Sequence, residues 1–379
     1  MSPRTETLPL LTASPGTSRV LTVHRFGAAG ARPKAYLQAA LHADETPGLL
    51  VQHHLYGLLA EAEMRGDLKG EVVMVPYANP IGLAQFGNGT HLGRYEAGGG
   101  GNFNRNWPDL FTPIAEGLAD QLGSDAAANV AAIRAAQCDH LASQTAGSEL
   151  QSLRLALAGL AVDADLVLDL HCDDESLMHL FLIPAHWPQA ADLAADLACR
   201  AVLLAEDSGG QSFDESFSTP WTRLAARYPQ HPIPAACLAA TVELRGTADV
   251  DDATAAQDAQ ALFHALQRFG VIAGEAPPPP EPLCEATRLD ATDSVRAPAA
   301  GVLAYAVAMG EHVAAGDTIA WIVDPTKPPD QARTPVTTRA SGLVLSRRMQ
   351  RYVRPGMAIA KVVGETPLPH RQGGYLLED

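Results

Sequence analysis

The sequence predicts an α/β domain, built on a mixed, mostly parallel sheet flanked by helices, followed by a small all-β domain. Three observations predict this architecture. Short apolar runs alternate with helical patterns over residues 1–275, as in sheets whose parallel strands are connected by helices. A proline-rich stretch at 277–280 interrupts the pattern and is typical of a stiff linker. Beyond it, residues 294–363 consist of short strand patterns separated by glycine-centred turns.

The elements of the first domain follow from apolar periodicity. Strands are predicted where short apolar runs occur, at 19–24, 36–41, 71–76, 165–170, 177–183 and 237–244. Helices are predicted where apolar residues recur at helical spacing, at 49–64, 125–160 (broken near Gly147), 189–205, 220–228 and 250–269. The segment 81–109 has neither period, so we expect a long loop. Loops of that length in compact domains are usually functional or disordered.

The second domain, which with its linker spans residues 276–379, carries an internal repeat. Residues 300–303 match 341–344, and residues 313–320 match 353–360, which predicts two similar halves. The pattern resembles the barrel-sandwich domains of the biotinyl and lipoyl type, which carry their cofactor on a lysine at a hairpin tip. Lys327 follows the first half but lacks apolar neighbours, so we expect a structural or lid domain in place of a cofactor carrier.

Composition and charge exclude several classes of partner. The 379 residues carry a formal net charge of −16, which argues against nucleic acid or an anionic membrane surface as partner. No apolar run reaches the ~18 residues of a membrane span, and residues 1–16 lack the pattern of a signal peptide. Five cysteines without a CxxC pair are typical of reduced thiols. These observations predict a cytoplasmic protein, and they leave a homo-oligomer open.

Metal-ligating residue types occur where predicted strands end. His42 and Glu45, His171 and Glu243 each lie at or just after the end of a strand, and α/β sheets bind ligands beyond the carboxyl ends of their strands. A short-spaced pair with a distant third ligand is the layout of a catalytic zinc site, which keeps one position open for water. Singly, His171 would serve as a core histidine and Glu243 as a salt-bridge partner of Arg245. Together they favour a metal centre with Glu243 as its general base.

Four motifs, in this order, resemble the zinc carboxypeptidase superfamily. They are HADE at 42–45, NRNW at 104–107, DLH at 169–171 and ELR at 243–245. Within that superfamily the chain most resembles the succinylglutamate desuccinylase/aspartoacylase family. Two features carry this resemblance: Asn79-Pro80 followed by Arg94 and the Asn104-Arg105 pair, and a β domain fused after the catalytic domain. The resemblance covers nearly the whole chain.

The resemblance implies a role for each residue of the metal centre. His42, Glu45 and His171 would bind one Zn²⁺ per chain. Glu243 would be the catalytic acid and base, and Arg94 would stabilise the oxyanion that forms on the scissile carbonyl. Because histidine and carboxylate ligands suit several divalent ions, the sequence leaves the identity of the metal open.

The same resemblance implies that Asn104 and Arg105 hold a substrate carboxylate, a task that suits the arginine guanidinium group. Arg245 either adds to this pocket or forms a structural ion pair. The chain departs from the family at Asn102, where an aspartate is common, and this change bears on the hydrogen bonds around the zinc ligands. The glycine run at 98–101 gives the same loop extra freedom. Asp173 would favour a substrate that also carries a cation.

The expected function is that of a zinc-dependent amidohydrolase (deacylase), which cleaves the amide bond of an N-acyl amino acid or a similar small acidic amide by metal-activated water. A β domain that narrows the mouth of the site, as in the resembling family, would favour small substrates. Two alternatives stay open. One is a metallocarboxypeptidase that releases C-terminal residues from peptides. The other is a non-catalytic metal-binding or interaction protein in which the β domain is the working part.

Overall fold

The structure, a computed structural model, describes residues 3–371 and Leu376. A nine-stranded sheet lies at its centre. Its strands are β1 (Arg4–Pro9), β2 (Val20–Phe26), β3 (Lys34–Ala39), β4 (Glu71–Val75), β5 (Leu166–Asp173), β6 (His179–Leu182), β7 (Ala201–Leu204), β8 (Leu238–Gly246) and β9 (Ala286–Arg288). The longer helices are α1 (Pro47–Arg65), α2 (Ala126–Ser143), α3 (Glu149–Ala161), α4 (Ala191–Asp196), α5 (Phe213–Arg227) and α6 (Asp252–Arg268).

The strand order of this sheet is β1-β2-β4-β3-β5-β8-β6-β7-β9. Strands β4, β3, β5 and β8 run parallel to one another. The β1–β2, β2–β4 and β8–β6 pairs are antiparallel, whereas the β6–β7 and β7–β9 pairs are parallel. The prediction of a mixed, mostly parallel sheet flanked by helices is confirmed. Because β3, β5 and β8 are parallel neighbours, their carboxyl ends meet at one edge of the sheet.

Helices cover both faces of the central sheet, and each face has its own apolar core. On one face α2, α3 and α5 pack against side chains such as Tyr36 and Val167. On the other face α1, α4 and α6 pack against side chains such as Leu37 and Leu168. Successive side chains of a strand point to opposite faces, so a strand covered on both faces is mostly apolar. Within residues 3–371, no helix is long and apolar enough to span a membrane.

Helix α1 begins two residues after Glu45 and anchors the turn that carries it. Pro47 occupies the first turn of α1, where a missing N–H group breaks no helical hydrogen bond. Gly66 ends the helix in the left-handed conformation, with a φ of 77°, and its N–H donates to two carbonyls of the last turn. Leu55 and Leu59 are buried on the inner face of α1 and pack in the same core as α6.

Most predicted elements are present, and the division of 125–160 into the two helices α2 and α3 is confirmed. The single helix predicted over 189–205 is wrong: α4 ends at Asp196 and residues 201–204 form β7. Ala198 has a φ of 53° between the two elements, and β7 pairs with β6 and β9. Sheet pairing therefore overrides the helical propensity of this alanine- and leucine-rich run. No apolar pattern in the sequence predicts β1, whose residues are mostly exposed.

The predicted loop at 81–109 contains two small hairpins. Phe86–Gly87 pairs with Thr90–His91, and Tyr95–Glu96 pairs with Gly101–Asn102. The short helix Thr112–Ala115 follows it. The glycine run therefore lies within the second hairpin, next to Asn102.

The C-terminal strands form two further sheets. They are β10 (Thr292–Arg296), β11 (Gly301–Tyr305), β12 (His312–Val313), β13 (Thr318–Val323), β14 (Arg333–Thr337), β15 (Gly342–Arg347), β16 (Tyr352–Val353) and β17 (Ala358–Gly364). One sheet has the order β14-β13-β11-β16. The other contains β15, β17 and β10, with the two-residue strand Glu175–Ser176 at the edge of β15.

The C-terminal strands pair across the two halves that the internal repeat predicts. Strand β12 of the first half pairs with β15 of the second, and β16 of the second half pairs with β11 of the first. The all-β character predicted for this region is therefore confirmed. The boundary between residues 275 and 276 stays a prediction, and β9, which lies beyond it, belongs to the central sheet.

Candidate active site

The structure brings four of the predicted site residues to the carboxyl edge of the central sheet. His42 and Glu45 lie in the turn between β3 and α1, and His171 lies in β5. Glu243 of β8 is the direct register partner of His171. All four side chains line the same cavity, because their strands end at the same edge.

His42, Glu45 and His171 form a buried cluster that could hold a metal ion. One ligand atom from each residue lies within 4.8 Å of the other two. Nδ1 of His42 is 2.9 Å from Oε1 of Glu45, and Nδ1 of His171 is 2.7 Å from Oε2 of the same carboxylate. None of the three residues is more than 5% exposed. Two imidazole nitrogens and one carboxylate are the donor set of many catalytic zinc sites.

The far nitrogens of both imidazoles face hydrogen-bond acceptors. Nε2 of His42 lies 2.8 Å from Oδ1 of Asn102, and Nε2 of His171 lies 2.8 Å from Oδ2 of Asp169. An acceptor at Nε2 favours the tautomer with its proton on that atom, which leaves the Nδ1 lone pair free for a metal. The residues present therefore fit a divalent cation held by the two Nδ1 atoms and the Glu45 carboxylate.

Asp169 and Asn102 contact the two candidate metal-binding histidines from the side away from the metal site. The sequence did not predict these two contacts. Asp169 was visible in the DLH motif, and its Oδ1 also accepts a hydrogen bond from Nε2 of Gln38 at 3.0 Å. Asn102 stands where the resembling family commonly has an aspartate. Its amide oxygen supplies the acceptor that an aspartate would supply to His42, but it brings no negative charge.

Replacing Asp169 with alanine is expected to weaken zinc binding about 10- to 100-fold, the usual effect of removing an outer partner of a metal ligand. Competition with a chromogenic chelator measures the dissociation constant. Asp67→Ala, just beyond the end of α1, is the control and should bind zinc as the wild type does. Equal zinc affinity in the Asp169→Ala variant and the wild type would show that Asp169 does not orient His171.

The surroundings of the two histidines shift their pKa values in opposite directions. Burial and the Arg94 guanidinium lower the pKa of His42 to about 4, so its imidazole is neutral at pH 7. Burial acts in the same direction on His171, but the carboxylates of Asp169 and Glu45 outweigh it and raise the pKa of His171 well above its ordinary value. The two imidazoles in turn hold the pKa of Glu45 well below its ordinary range, against the effect of burial. A metal that binds here displaces a proton from His171, so metal affinity falls as the pH falls.

Arg94 and Glu243 lie beside the cluster and present polar groups to the cavity. Nη1 of Arg94 donates to Oε1 of Glu45 at 3.1 Å, and its side chain remains 39% exposed. Oε2 of Glu243 is buried and has no hydrogen-bond partner within the described part of the chain. Burial and the neighbouring Glu45 carboxylate raise the pKa of Glu243 to about 8. Perturbed carboxyl groups in a cleft are candidates for proton transfer.

Asn104 and Arg105 both line the cavity. The side chain of Asn104 also connects its loop to the start of α5 through a hydrogen bond. Its Oδ1 accepts the backbone N–H of Phe213 at 2.8 Å and Nε1 of Trp107 at 3.2 Å. Arg105 passes over Gly210 so closely that a Cβ there would stand 2.5 Å from its Cδ. Glycine at that position leaves room for the arginine side chain.

Arg245 is the one predicted site residue that the structure does not bring to the cavity. It is absent from the cavity lining, and its guanidinium donates to Asp258 of α6. Arg245 has a φ of 64°, and the register of β8 with β5 shifts between Glu243 and Gly246. Because of this irregularity, the side chain of Glu243 lines the cavity, whereas that of Arg245 contacts α6. We therefore assign Arg245 a structural ion pair, the other possibility that the sequence left open, in place of a substrate contact.

The cavity has a volume of about 350 Å³ and is lined by both parts of the chain. The C-terminal sheet contributes Arg347, Arg348 and Lys361, none of which the sequence singled out. Nζ of Lys361 donates to Oδ2 of Asp173 at 2.5 Å, and this ammonium group holds the pKa of Asp173 below its ordinary range against the effect of burial. Asp173, which the sequence suggested for a cationic substrate group, is thus paired within the protein. No local signal predicts a contact between residues this far apart in sequence.

Comparison with known proteins identifies relatives of this fold. The model of the succinylglutamate desuccinylase/aspartoacylase catalytic domain family matches residues 31–269. Among proteins with curated functions, none matches the sequence.

Several solved structures share the architecture over almost their entire length. A protein described as a succinylglutamate desuccinylase/aspartoacylase from Shewanella frigidimarina is 24% identical, with a TM-score of 0.84 over 96% of this chain and 97% of that one. A protein of the same family from Shewanella amazonensis is 26% identical, with a TM-score of 0.83 over 96% and 98%. The ectoine utilization protein EutE (DoeB) from Ruegeria pomeroyi is 19% identical, with a TM-score of 0.66 over 96% and 95%.

Proposed function

The chain belongs to the succinylglutamate desuccinylase/aspartoacylase family, and on that premise we propose that it is a zinc-dependent amidohydrolase. It would remove the acyl group from an N-acyl amino acid or a similar small acidic amide. The observation that carries this proposal is that one cavity contains both the His42–Glu45–His171 cluster and Oε2 of Glu243, which has no hydrogen-bond partner among residues 3–371 and Leu376.

The proposed ligands of one Zn²⁺ per chain are Nδ1 of His42, the Glu45 carboxylate and Nδ1 of His171. A zinc ion bound there would lower the pKa of a water molecule and polarise the scissile carbonyl. Support comes from the acceptors at the two Nε2 atoms, Asn102 and Asp169, which leave both Nδ1 atoms facing the Glu45 carboxylate. The choice of zinc over another divalent ion follows from the donor set and the family.

Glu243 and Arg94 are proposed to carry the proton transfer and the charge stabilisation. A dication bound beside Glu243 would favour its ionised form over the protonated form that its raised pKa favours in the metal-free protein. Oε2 would then accept a proton from the attacking water and return it to the leaving amine, so the carboxylate is regenerated at the end of each cycle. The guanidinium of Arg94 donates to the oxyanion that forms on the former carbonyl oxygen. Both groups lie next to the cluster, and neither role requires a side chain from outside the cavity.

The substrate is proposed to be small and acidic. Arg105 would bind its carboxylate, and Asn104 would hold the loop that presents Arg105. Arg347 and Arg348 of the C-terminal region line the same cavity, which supports a compact acyl amino acid over a peptide. A cytoplasmic location is part of the proposal, and it is supported by the five cysteines, all of which are free thiols.

Parallel assays of N-acyl amino acids and of dipeptides with the same C-terminal residues test this function. We expect kcat/KM for acyl derivatives of acidic amino acids to exceed that for dipeptides at least about tenfold. A preference for dipeptides would establish the metallocarboxypeptidase alternative. Zinc binding without hydrolysis of either series would establish a non-catalytic metal-binding protein.

A further inference from the structure

The C-terminal sheet is attached to the segment that follows His171. The two-residue strand Glu175–Ser176, which begins two residues after β5 ends, pairs antiparallel with β15. The carboxylate of Glu175 accepts hydrogen bonds from Arg347 at 3.0 Å and from Arg351 at 2.5 Å. Backbone pairing and two ion pairs therefore fix this sheet against the strand that carries His171.

Lys361 of β17 reaches the cavity from this sheet. Its Nζ donates to Oδ2 of Asp173, the last residue of β5, at 2.5 Å. Both side chains line the cavity together with Glu243. Within the described residues, Asp173 forms no other salt bridge. Asp173 acts on Glu243 as a like charge and Lys361 as an opposite charge.

We propose that Lys361 is a positioning residue of the active site. Its ammonium group binds Asp173, holds the end of β5 in place, and balances a negative charge that would otherwise stand beside Glu243 and the metal cluster. This inference rests on the proposed function and extends it, because it makes the C-terminal sheet a contributor to the charge and geometry of the site.

The pairing predicts that the effect of losing Lys361 depends on whether Asp173 is present. Removing Lys361 alone leaves the Asp173 carboxylate unpaired in a partly buried cavity, which is more disruptive than removing both members of the pair. The unpaired carboxylate would repel Glu243 and the developing oxyanion, and it would attract a divalent cation. The first effect slows turnover, and the second tightens zinc binding.

Rescue of Lys361→Met by a second substitution tests this coupling through two separate measurements, kcat and KM for an N-acyl amino acid and the zinc dissociation constant. We expect Lys361→Met to lower kcat at least about tenfold while KM stays within about threefold. Lys361→Arg is expected to retain most of kcat. Adding Asp173→Asn to Lys361→Met is expected to restore most of the loss. Lys361→Met is expected to bind zinc at least about threefold more tightly than the wild type, and the double variant is expected to return to the wild-type value.

Arg351→Met is the matched control, because Arg351 binds the neighbouring Glu175 but does not line the cavity. It should lower the melting temperature at most, with kcat and zinc affinity unchanged. Unchanged zinc affinity in Lys361→Met, or a double variant no more active than Lys361→Met, would overturn the inference. If Lys361→Met does not fold, Lys361→Gln carries the same comparison, because it also removes the ammonium group that binds Asp173. A wild type that binds zinc but hydrolyses no acyl amino acid would contradict the proposed function. The zinc dissociation constants of Lys361→Met and of the double variant would still decide the role of Lys361.

Discussion

The Glu243→Gln variant is expected to lose about 10²- to 10⁴-fold in kcat, the contribution of a positioned general base, while it binds zinc as the wild type does. Glutamine has nearly the shape of glutamate, but its amide cannot take a proton from water. Among the residues that the structure describes, Oε2 of Glu243 has no hydrogen-bond partner, so the substitution breaks no hydrogen bond between that atom and any of them. Glu243 also lies outside the cluster of three candidate ligands, so the metal site keeps its donors.

Steady-state kinetics and zinc content, measured on the same preparations, check this prediction. Glu116→Gln, an exposed glutamate that does not line the cavity, is the control and should match the wild type in both. A Glu243→Gln variant that retains more than about a tenth of wild-type kcat would assign the proton transfer to another group. Loss of zinc together with activity would instead show that Glu243 supports the metal site.

The His171→Ala variant is expected to weaken zinc binding by more than about 100-fold, beyond the effect of losing an outer partner, and to lose turnover in parallel. The substitution removes one of three protein donors, and it leaves Asp169 with Gln38 as its remaining side-chain partner. In the wild type, the raised pKa of His171 means that zinc must displace a proton. Wild-type zinc affinity is therefore expected to rise as the pH rises through that pKa.

Metal content after gel filtration and chelator competition at several pH values measure this effect. His53→Ala, an exposed histidine of α1, is the control for loss of an imidazole without loss of a ligand. Retention of about one zinc per chain by His171→Ala, with wild-type turnover, would remove His171 from the metal site.

The central strands could be predicted because their burial on both faces requires mostly apolar residues, which the sequence shows directly. Strand β3 is buried along its whole length, and a strand covered on both faces is mostly apolar, as β3 is except at Lys34 and Gln38. Strand β1 is exposed and polar and pairs only with β2, so no apolar pattern marks it. The sequence pattern at 201–204 predicts a helix. The strand that forms there depends on pairing with β6 and β9, which lie elsewhere in the chain.

The candidate site shows the same division between local and distant determinants. The positions of His42, His171 and Glu243 follow from where strands end, which the sequence shows. Arg245 lies only two residues beyond Glu243, yet a shift of register places it against α6. The contact between Lys361 and Asp173 depends on how the C-terminal sheet packs, and no motif encodes that.

Titration of metal-depleted wild-type protein with zinc, with hydrolysis of an N-acyl amino acid as the readout, tests the central claim most directly. The account predicts that activity rises linearly and stops rising at about one equivalent of zinc per chain. Full activity in protein that contains no zinc, or saturation of the site without any hydrolysis, would contradict it.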